Sequence, residues 1–339
     1  MRSFLVGLTG IFAPGFAQGL TSRPRAMAIA LGLCVLFIFG TLLVPWLAYG
    51  VPLVMAGAMA EAALHLHRRP AAIRWSLRYA AIAFIGSIAI ALTARAALVQ
   101  AYRQPSSSMS PTLEIGDYFY ISKLAGHLRA PERGEIIVFR QPCQPQVDFI
   151  KRVVALGRDT VEVRCGVLYV NGAAVPPSLV RDKDRYVDYW EGMGRVEERV
   201  EEVSRYRETI GDHTFDIFHD LELPARAEAR RTGTLGADTG GESRDFPLDV
   251  PPSCAAGFGP SAAGDQAQQP GQIVVTDPAP TSACKPNRHY VVPEGHVFVM
   301  GDNRENSNDS RVWGSVPVTH VKGPVIGIWY PFGRIGRVE

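Results

Sequence analysis

Acidic side chains are nearly missing from the first third of this chain. Before Glu114 the one carboxylate is Glu61, while arginines recur through the same region. A water-facing surface normally mixes both signs, so this stretch does not read as a soluble domain. Beyond Glu114 acids and bases alternate as on an ordinary soluble surface, and the two parts of the chain belong in different solvents. Other absences narrow the chemistry. Net charge is only +2 over 339 residues, which leaves no strong field for nucleic acid. The five cysteines, Cys34, Cys143, Cys165, Cys254 and Cys284, form no Cys-x-x-Cys pair, which argues against a zinc ribbon. No His-Glu-x-x-His motif offers a catalytic metal site, and no Gly-x-Ser-x-Gly elbow presents a serine to a histidine. No internal repeat is visible.

What the first third does contain is long apolar runs. Ala26–Trp46 is nearly unbroken, and at about 1.5 Å per residue it covers a bilayer core of roughly 30 Å. Leu47–Leu66 is a weaker candidate, with Pro52 near one end and Glu61 near the other. Tyr79–Val99 is a third, with Arg95 close enough to its end to snorkel. Arg2, Arg23 and Arg25 precede the first run, and Arg68, Arg69, Arg74 and Arg78 separate the second from the third. Three spans put both basic groups on the cytoplasmic side and everything after Arg103 outside. Met1–Leu20 is a poor secretory leader, because Pro14, Gly15 and Gln18 interrupt it, and reads as an interfacial segment. The expected division is a membrane region over 1–103 and a second domain over 104–339.

The second domain reads as β. Asp117–Ile121, Ile136–Phe139, Phe149–Leu156 and Thr160–Val163 have strand composition, and Val167–Val170 runs into the hairpin signal Asn171-Gly172. Residues 176–288 are less orderly. Arg205–Ile210 and Thr214–Phe218 suit a hairpin, Glu197–Glu202 is a charged face, and 251–286 reads as loop. A bridge between Cys254 and Cys284 would tether that loop at its base. Strand pattern resumes at Val291–Met300 and again at Val325–Tyr330. The fold expected is N-terminal transmembrane helices followed by a mainly antiparallel β catalytic domain with a large insertion at 176–288.

Three polar segments carry the chemistry. Gln104-Pro105-Ser106-Ser107-Ser108-Met109-Ser110-Pro111 sets serines between prolines, where neither helix nor central strand is favoured. Asp148–Val154 places Lys151 inside a run that otherwise reads as strand. Gly301–Arg311 is polar directly after one. A serine hydroxyl needs a base, and a lysine becomes one when apolar surroundings populate its neutral amine. In period two Lys151 shares a face with Phe149 and Val153.

Taken together, Pro105–Leu113, Lys151-Arg152-Val153-Val154 and Gly301-Asp302-Asn303-Arg304-Glu305-Asn306-Ser307-x-Asp309-Ser310-Arg311 resemble the motifs of bacterial type I signal peptidases, in the same order. The resemblance implies a membrane-bound serine endopeptidase that cuts signal peptides from translocated preproteins. It implies Ser108 as nucleophile, Lys151 as general base, and Ser106 with the Ser108 amide as oxyanion donors. Ser307 would orient the lysine, Asp309 and Arg311 would form a supporting ion pair, and Met109, Leu113, Phe119, Phe149 and Ile150 would line the substrate pockets. It implies no cofactor and no metal. The partners would be secretory preproteins with small residues at the cleavage site and membrane lipid, with no nucleic acid. The location would be the bacterial inner membrane, multi-pass, with the catalytic domain periplasmic. The chain departs from the family at Ser107, commonly glycine, and at Ala155-Leu156-Gly157-Arg158-Asp159, usually Gly-Leu-Pro-Gly-Asp. Residues 176–288 follow no family motif. Other readings are a peptidase specialised for one secreted or pilus subunit, a self-cleaving repressor, and an inactive membrane-anchored binding domain. The apolar runs argue against the repressor, and intact Ser108, Lys151 and Ser307 against the inactive domain.

Overall fold

The structure, a computed structural model, describes residues 24–40, isolated positions between 54 and 89, and 98–339 except 165, 193–194, 220–244, 248–250, 259–270, 277–287, 337 and 339. The chain divides into two compact units, Met1–Val99 and Gln100–Glu339.

In the first unit, helix α1 (Pro24–Gly40) opens on a proline, whose missing N–H costs nothing at a first helical position. Its Ile29, Leu33 and Leu36 are exposed. Among the described residues no helix is long and apolar enough to cross a membrane. The expected span Ala26–Trp46 coincides with α1 up to Gly40. Its remainder, most of Leu47–Leu66 and Tyr79–Val99, and Met1–Leu20 lie outside the described residues.

The second unit is mainly antiparallel β. In chain order the strands are β1 (Val99–Arg103), β2 (Tyr118–Ser122), β3 (Ile136–Gln141), β4 (Gln144–Leu156), β5 (Thr160–Arg164), β6 (Val167–Val170), β7 (Ala173–Val175), β8 (Ser178–Gly192), β9 (Arg195–Ile210), β10 (His213–His219), β11 (Gln272–Val275), β12 (Arg288–Val291), β13 (His296–Met300), β14 (Val316–Pro317) and β15 (Val321–Tyr330). Short helices are α2 (Lys123–Leu128), α3 (Cys254–Phe258) and α4 (Ser310–Trp313). A seven-stranded sheet runs β1-β2-β15-β3-β4-β13-β14, a five-stranded one β11-β12-β5-β6-β7, and a three-stranded one β10-β9-β8.

Strand β4 is central to the largest sheet, between β3 and β13. A strand covered on both faces reads as a continuous apolar run, and Ile150 to Ala155 are all buried. Alternate side chains serve different clusters. Ile150 packs with Met109, Leu113, Phe119, Ile121, Ile136 and Val138. Val153 packs with Ile137, Phe139, Val297, Val299 and Trp313, with Phe149 at the edge. The β6–β7 turn takes positive φ at both Asn171 and Gly172, as a type I′ turn requires.

The described part of the insertion is more regular than its sequence suggests. β8 and β9 form a long hairpin, in which Arg185 faces Glu202 and Asp188 faces Arg199. Opposite charges across a strand pair favour it even where both faces are polar. The expected Arg205–Ile210 and Thr214–Phe218 hairpin is present as β9–β10. Within the stretch expected to be loop, α3 and β11 are regular. The disulfide is a correction. Cys254 bridges to Cys143, not to Cys284, so the insertion is tied to the β3–β4 turn of the central sheet. Cys165 and Cys284 lie outside the described residues.

Candidate active site

Two tight backbone contacts fix the serine segment. Gln104 N–H donates to Asp117 O at 2.8 Å and Gly116 N–H to Gln104 O at 2.9 Å, closing a loop around it. Ser107–Met109 make one 3₁₀ turn, with Ser110 N–H on Ser107 O at 3.0 Å. Met109 and Leu113 are both fully buried and nail that turn to the core. Apolar anchoring and flanking prolines hold the three hydroxyls in place without regular structure around them.

Lys151 enters from β4 and is 4% exposed. Its Nζ lies 2.8 Å from Ser108 Oγ and 2.9 Å from Ile150 O. The Phe149 ring is 5.5 Å away, on the face the alternation assigns. Burial drives the Lys151 pKa down to about 8, against the opposing pull of Asp309 and Asp302 and with help from Arg311. Ser106 Oγ stands 3.2 Å from Ser108 Oγ. Lys151, 43 residues from Ser108 in sequence, thus joins Ser106 and Ser108 in one hydrogen-bonded cluster.

The 301–311 segment forms the floor. Burial pushes the Asp309 carboxyl up, but the charge and hydrogen bonds of Arg311, with those of Gly301 N–H and Ser307, outweigh it and hold it at about 2. Arg311 Nη2 is 2.8 Å from Asp309. Ser307 is buried and bonds to Asp309; the Lys151 amine meets Ser108 and Ile150 O. Gly301 has no room for a side chain: a Cβ there would sit 2.5 Å from Ser108 O and closer still to Ser307 Oγ. Of the expected pocket residues, Met109, Leu113, Phe119 and Ile150 share one buried cluster. Phe149 stands apart from them, half-buried, between Phe139 and Phe258.

Several site residues went without a role in the sequence reading. Arg152 forms a buried ion pair with Asp302 at 2.7 Å, and also donates to Gly134 O at 2.7 Å. Its guanidinium lies 3.7 Å from the centre of the Phe215 ring. Arg304 pairs with Glu208 of β9. Asn303 N–H donates to Ser108 O at 3.1 Å, and Asn306 Nδ2 to Ser107 Oγ at 2.9 Å. Arg152, Asp302, Asn303, Arg304 and Asn306 stood inside the quoted motifs, but only the fold supplies their partners. Glu208 carried no sequence signal. Among the described residues no cluster of His, Cys, Asp and Glu is arranged to hold a metal.

The sequence pattern of the family described as "Signal peptidase, peptidase S26" matches residues 76–330, most of the chain. A signal peptidase I of Pseudomonas aeruginosa is 27% identical over 292 residues, spanning 78% of this chain and 74% of its own. One from Aquifex aeolicus is 31% identical over 247 residues, 69% of this chain and 76% of its own. A crystal structure of a signal peptidase I from Enterococcus faecalis superposes at a TM-score of 0.26 with 22% identity, over 58% of this chain and 97% of that one. The family's motifs and the relatives' shared length agree: this chain belongs to the signal peptidase family, peptidase S26, and is a serine endopeptidase that removes signal peptides.

Proposed function

We propose that cleavage runs on a dyad of Ser108 and Lys151. Ser108 Oγ attacks the scissile carbonyl carbon, its proton passes to Lys151 Nζ, and the carbonyl electrons move onto oxygen. Ser106 Oγ and the Ser108 N–H meet that oxyanion. The tetrahedral adduct collapses, the C–N bond breaks, and the Lys151 ammonium protonates the departing amine. A water, deprotonated by the same amine, then releases the acyl group. Ser307 and the Asp309–Arg311 pair hold the lysine's surroundings fixed. The observation that carries this reading is the 2.8 Å approach of Lys151 Nζ to Ser108 Oγ, on a lysine whose pKa burial lowers to about 8. Precursor cleavage by the purified chain tests it: Ser108→Ala is expected to abolish cleavage, and retained turnover would remove Ser108 from the role.

On the substrate side the reading is an extended peptide with small residues at the minus-one and minus-three positions against shallow apolar walls that reject larger side chains, with half-buried Phe149 offering surface and the buried Met109, Leu113, Phe119 and Ile150 packed behind. We place residues 1–103 in the bacterial inner membrane as about three spans, and 104–339, with its insertion at 176–288, on the periplasmic side. The arginine bias supports this orientation. So does the Cys143–Cys254 bridge, which suits an oxidising compartment. Tyr118, Tyr120, Trp329, Tyr330 and Phe332 also form a contiguous aromatic group, in which Tyr120, Trp329, Tyr330 and Phe332 are exposed, as suits a bilayer interface.

A further inference from the structure

The insertion takes no part in the bond-breaking just described, yet its first strand reaches the nucleophile turn. Along β8, Asp184, Tyr186 and Asp188 are half-buried, while Arg185, Val187 and Tyr189 between them are exposed. The half-buried face meets the 301–311 segment. Asn306 Nδ2 lies 2.6 Å from Asp188 Oδ2, 3.2 Å from the Tyr186 hydroxyl and 2.9 Å from Ser107 Oγ. The amide has two protons for these three acceptors, and the carboxylate is the strongest of them. The Tyr186 hydroxyl also bonds Asn303. Asn303 in turn holds both carbonyls of the serine turn: its N–H is on Ser108 O at 3.1 Å and its Nδ2 on Ser107 O at 3.3 Å.

The strand that presents Tyr186 is itself braced. The Tyr186 ring stacks on Phe218 at 5.7 Å. Phe218 N–H donates to Asp302 O at 2.8 Å, and Phe218 O accepts from Arg304 N–H at 3.0 Å. Arg304 pairs with Glu208 of β9. The Ser107 carbonyl matters because a peptide unit is planar and trans. Ser107 C=O and Ser108 N–H belong to one rigid plate and point opposite ways. Whatever anchors the carbonyl therefore aims the N–H.

We infer that Tyr186 and Asp188 of the insertion are positioning residues, which hold Asn303 and Asn306 and through them aim the Ser108 N–H at the developing oxyanion. The inference rests on the dyad reading above. Misalignment of an oxyanion donor is felt in the transition state and hardly in the ground state, so turnover should suffer and substrate affinity should not.

The test uses the full-length chain in detergent with a cleavable preprotein. Tyr186→Phe deletes one oxygen and keeps the stack on Phe218. Asp188→Ala removes the acceptor, and Asp188→Asn restores an uncharged one. Removing a donor outright costs roughly 100- to 1,000-fold, and tilting one should cost less, about 10-fold in kcat with KM within twofold. Asp188→Asn should recover most of that loss. In an Asn306→Ala background, Asp188→Ala should add nothing further. Binding of a substrate-like peptide aldehyde should weaken by the same factor as kcat. Its carbonyl carbon accepts Ser108 Oγ, the proton passing to Lys151 Nζ, so it needs the oxyanion donors. Binding of an uncleavable peptide of the same sequence should not change. Turnover within twofold of wild type in both Tyr186→Phe and Asp188→Ala would overturn the inference, as would a raised KM at unchanged kcat. Should Asp188→Ala fail to fold, Tyr186→Phe decides alone. Ser108→Ala, run alongside, separates the two failures: cleavage by that variant sinks the dyad itself, while its inactivity with normal turnover in the β8 variants sinks only the inference.

Discussion

Burial shifts Lys151 toward the neutral form that catalysis needs, at a cost to the fold. A lysine's ordinary pKa is 10.5, and burial lowers this one to about 8. Between those values the unfolded chain binds the proton that the folded chain has lost, so stability rises with pH through that window. Below about pH 8 both states are protonated and the full penalty stands, about 3 kcal/mol at roughly 1.4 kcal/mol per tenfold change in proton affinity. Lys151→Met keeps an apolar stem of similar length and removes the penalty. It is expected to unfold at higher denaturant than wild type at pH 7, with the difference shrinking toward pH 10.5. A Lys151→Met protein less stable than wild type at pH 7 would show that Asp309 and Asp302 more than compensate the buried charge. Asp309 works with the opposite sense. Its carboxyl is depressed to about 2, so its contribution is complete above the ordinary carboxylate range and is lost as pH falls through about 2. At this scale the local patterns alone, serines between prolines and a lysine in an apolar strand, fit a linker and a surface lysine equally well; the family resemblance singled out Ser106, Ser108 and Lys151, and the fold brings them together. The partners that hold the turn, Asn303, Asn306 and Glu208, were not legible, because what a polar side chain meets is decided by folding.

At the scale of elements, the apolar strands of the central sheet were legible and the polar hairpin was not. Ile136–Phe139 and Phe149–Leu156 are apolar because the central sheet is covered on both sides, and they correspond to β3 and β4. β8 and β9 carry charges on about half of their positions, so no period-two apolar pattern marks them. Cross-strand charge pairing and the packing of Tyr186 on Phe218 sustain them instead. The disulfide was misread for a related reason. Cys254 and Cys284 flank a loop-like segment, but the fold brings α3 against the β3–β4 turn, where Cys143 waits with its Cα 5.4 Å from that of Cys254. That bridge closes a sequence separation of 111 residues. The chain-entropy estimate for a loop of that order is about 4.7 kcal/mol, and measured values more often fall near 2–4. Peptide mapping of the unreduced protein should recover 143 and 254 in one linked pair, and Cys143→Ser should lower stability by about 2–4 kcal/mol. A free, alkylatable thiol at Cys143 or Cys254 in the oxidised protein would refute the pairing. Phe258, one turn beyond Cys254, lies 6.0 Å from Phe149, so the bridge also steadies the wall beside Lys151.

The whole molecule joins an acid-poor segment to a mixed-charge β domain, and the proposed topology rests on this asymmetry. A preprotein presents its cleavage site only after crossing the membrane, so the proposed dyad is useful only outside the cytoplasm. A reporter fused after Arg103 should report an extracytoplasmic location, and one fused near Arg74 a cytoplasmic one. A cytoplasmic result for the Arg103 fusion would invert the topology and leave the dyad on the wrong side of its substrate. The central claim remains the base. The most direct measurement is kcat/KM for preprotein cleavage as a function of pH, from about 6 to 10. A neutral Lys151 amine accepts the Ser108 proton and an ammonium cannot, so the rate should climb tenfold per pH unit at low pH and level off above about 8. A rate independent of pH across that range, or one that falls as pH rises through 8, would contradict Lys151 as the base.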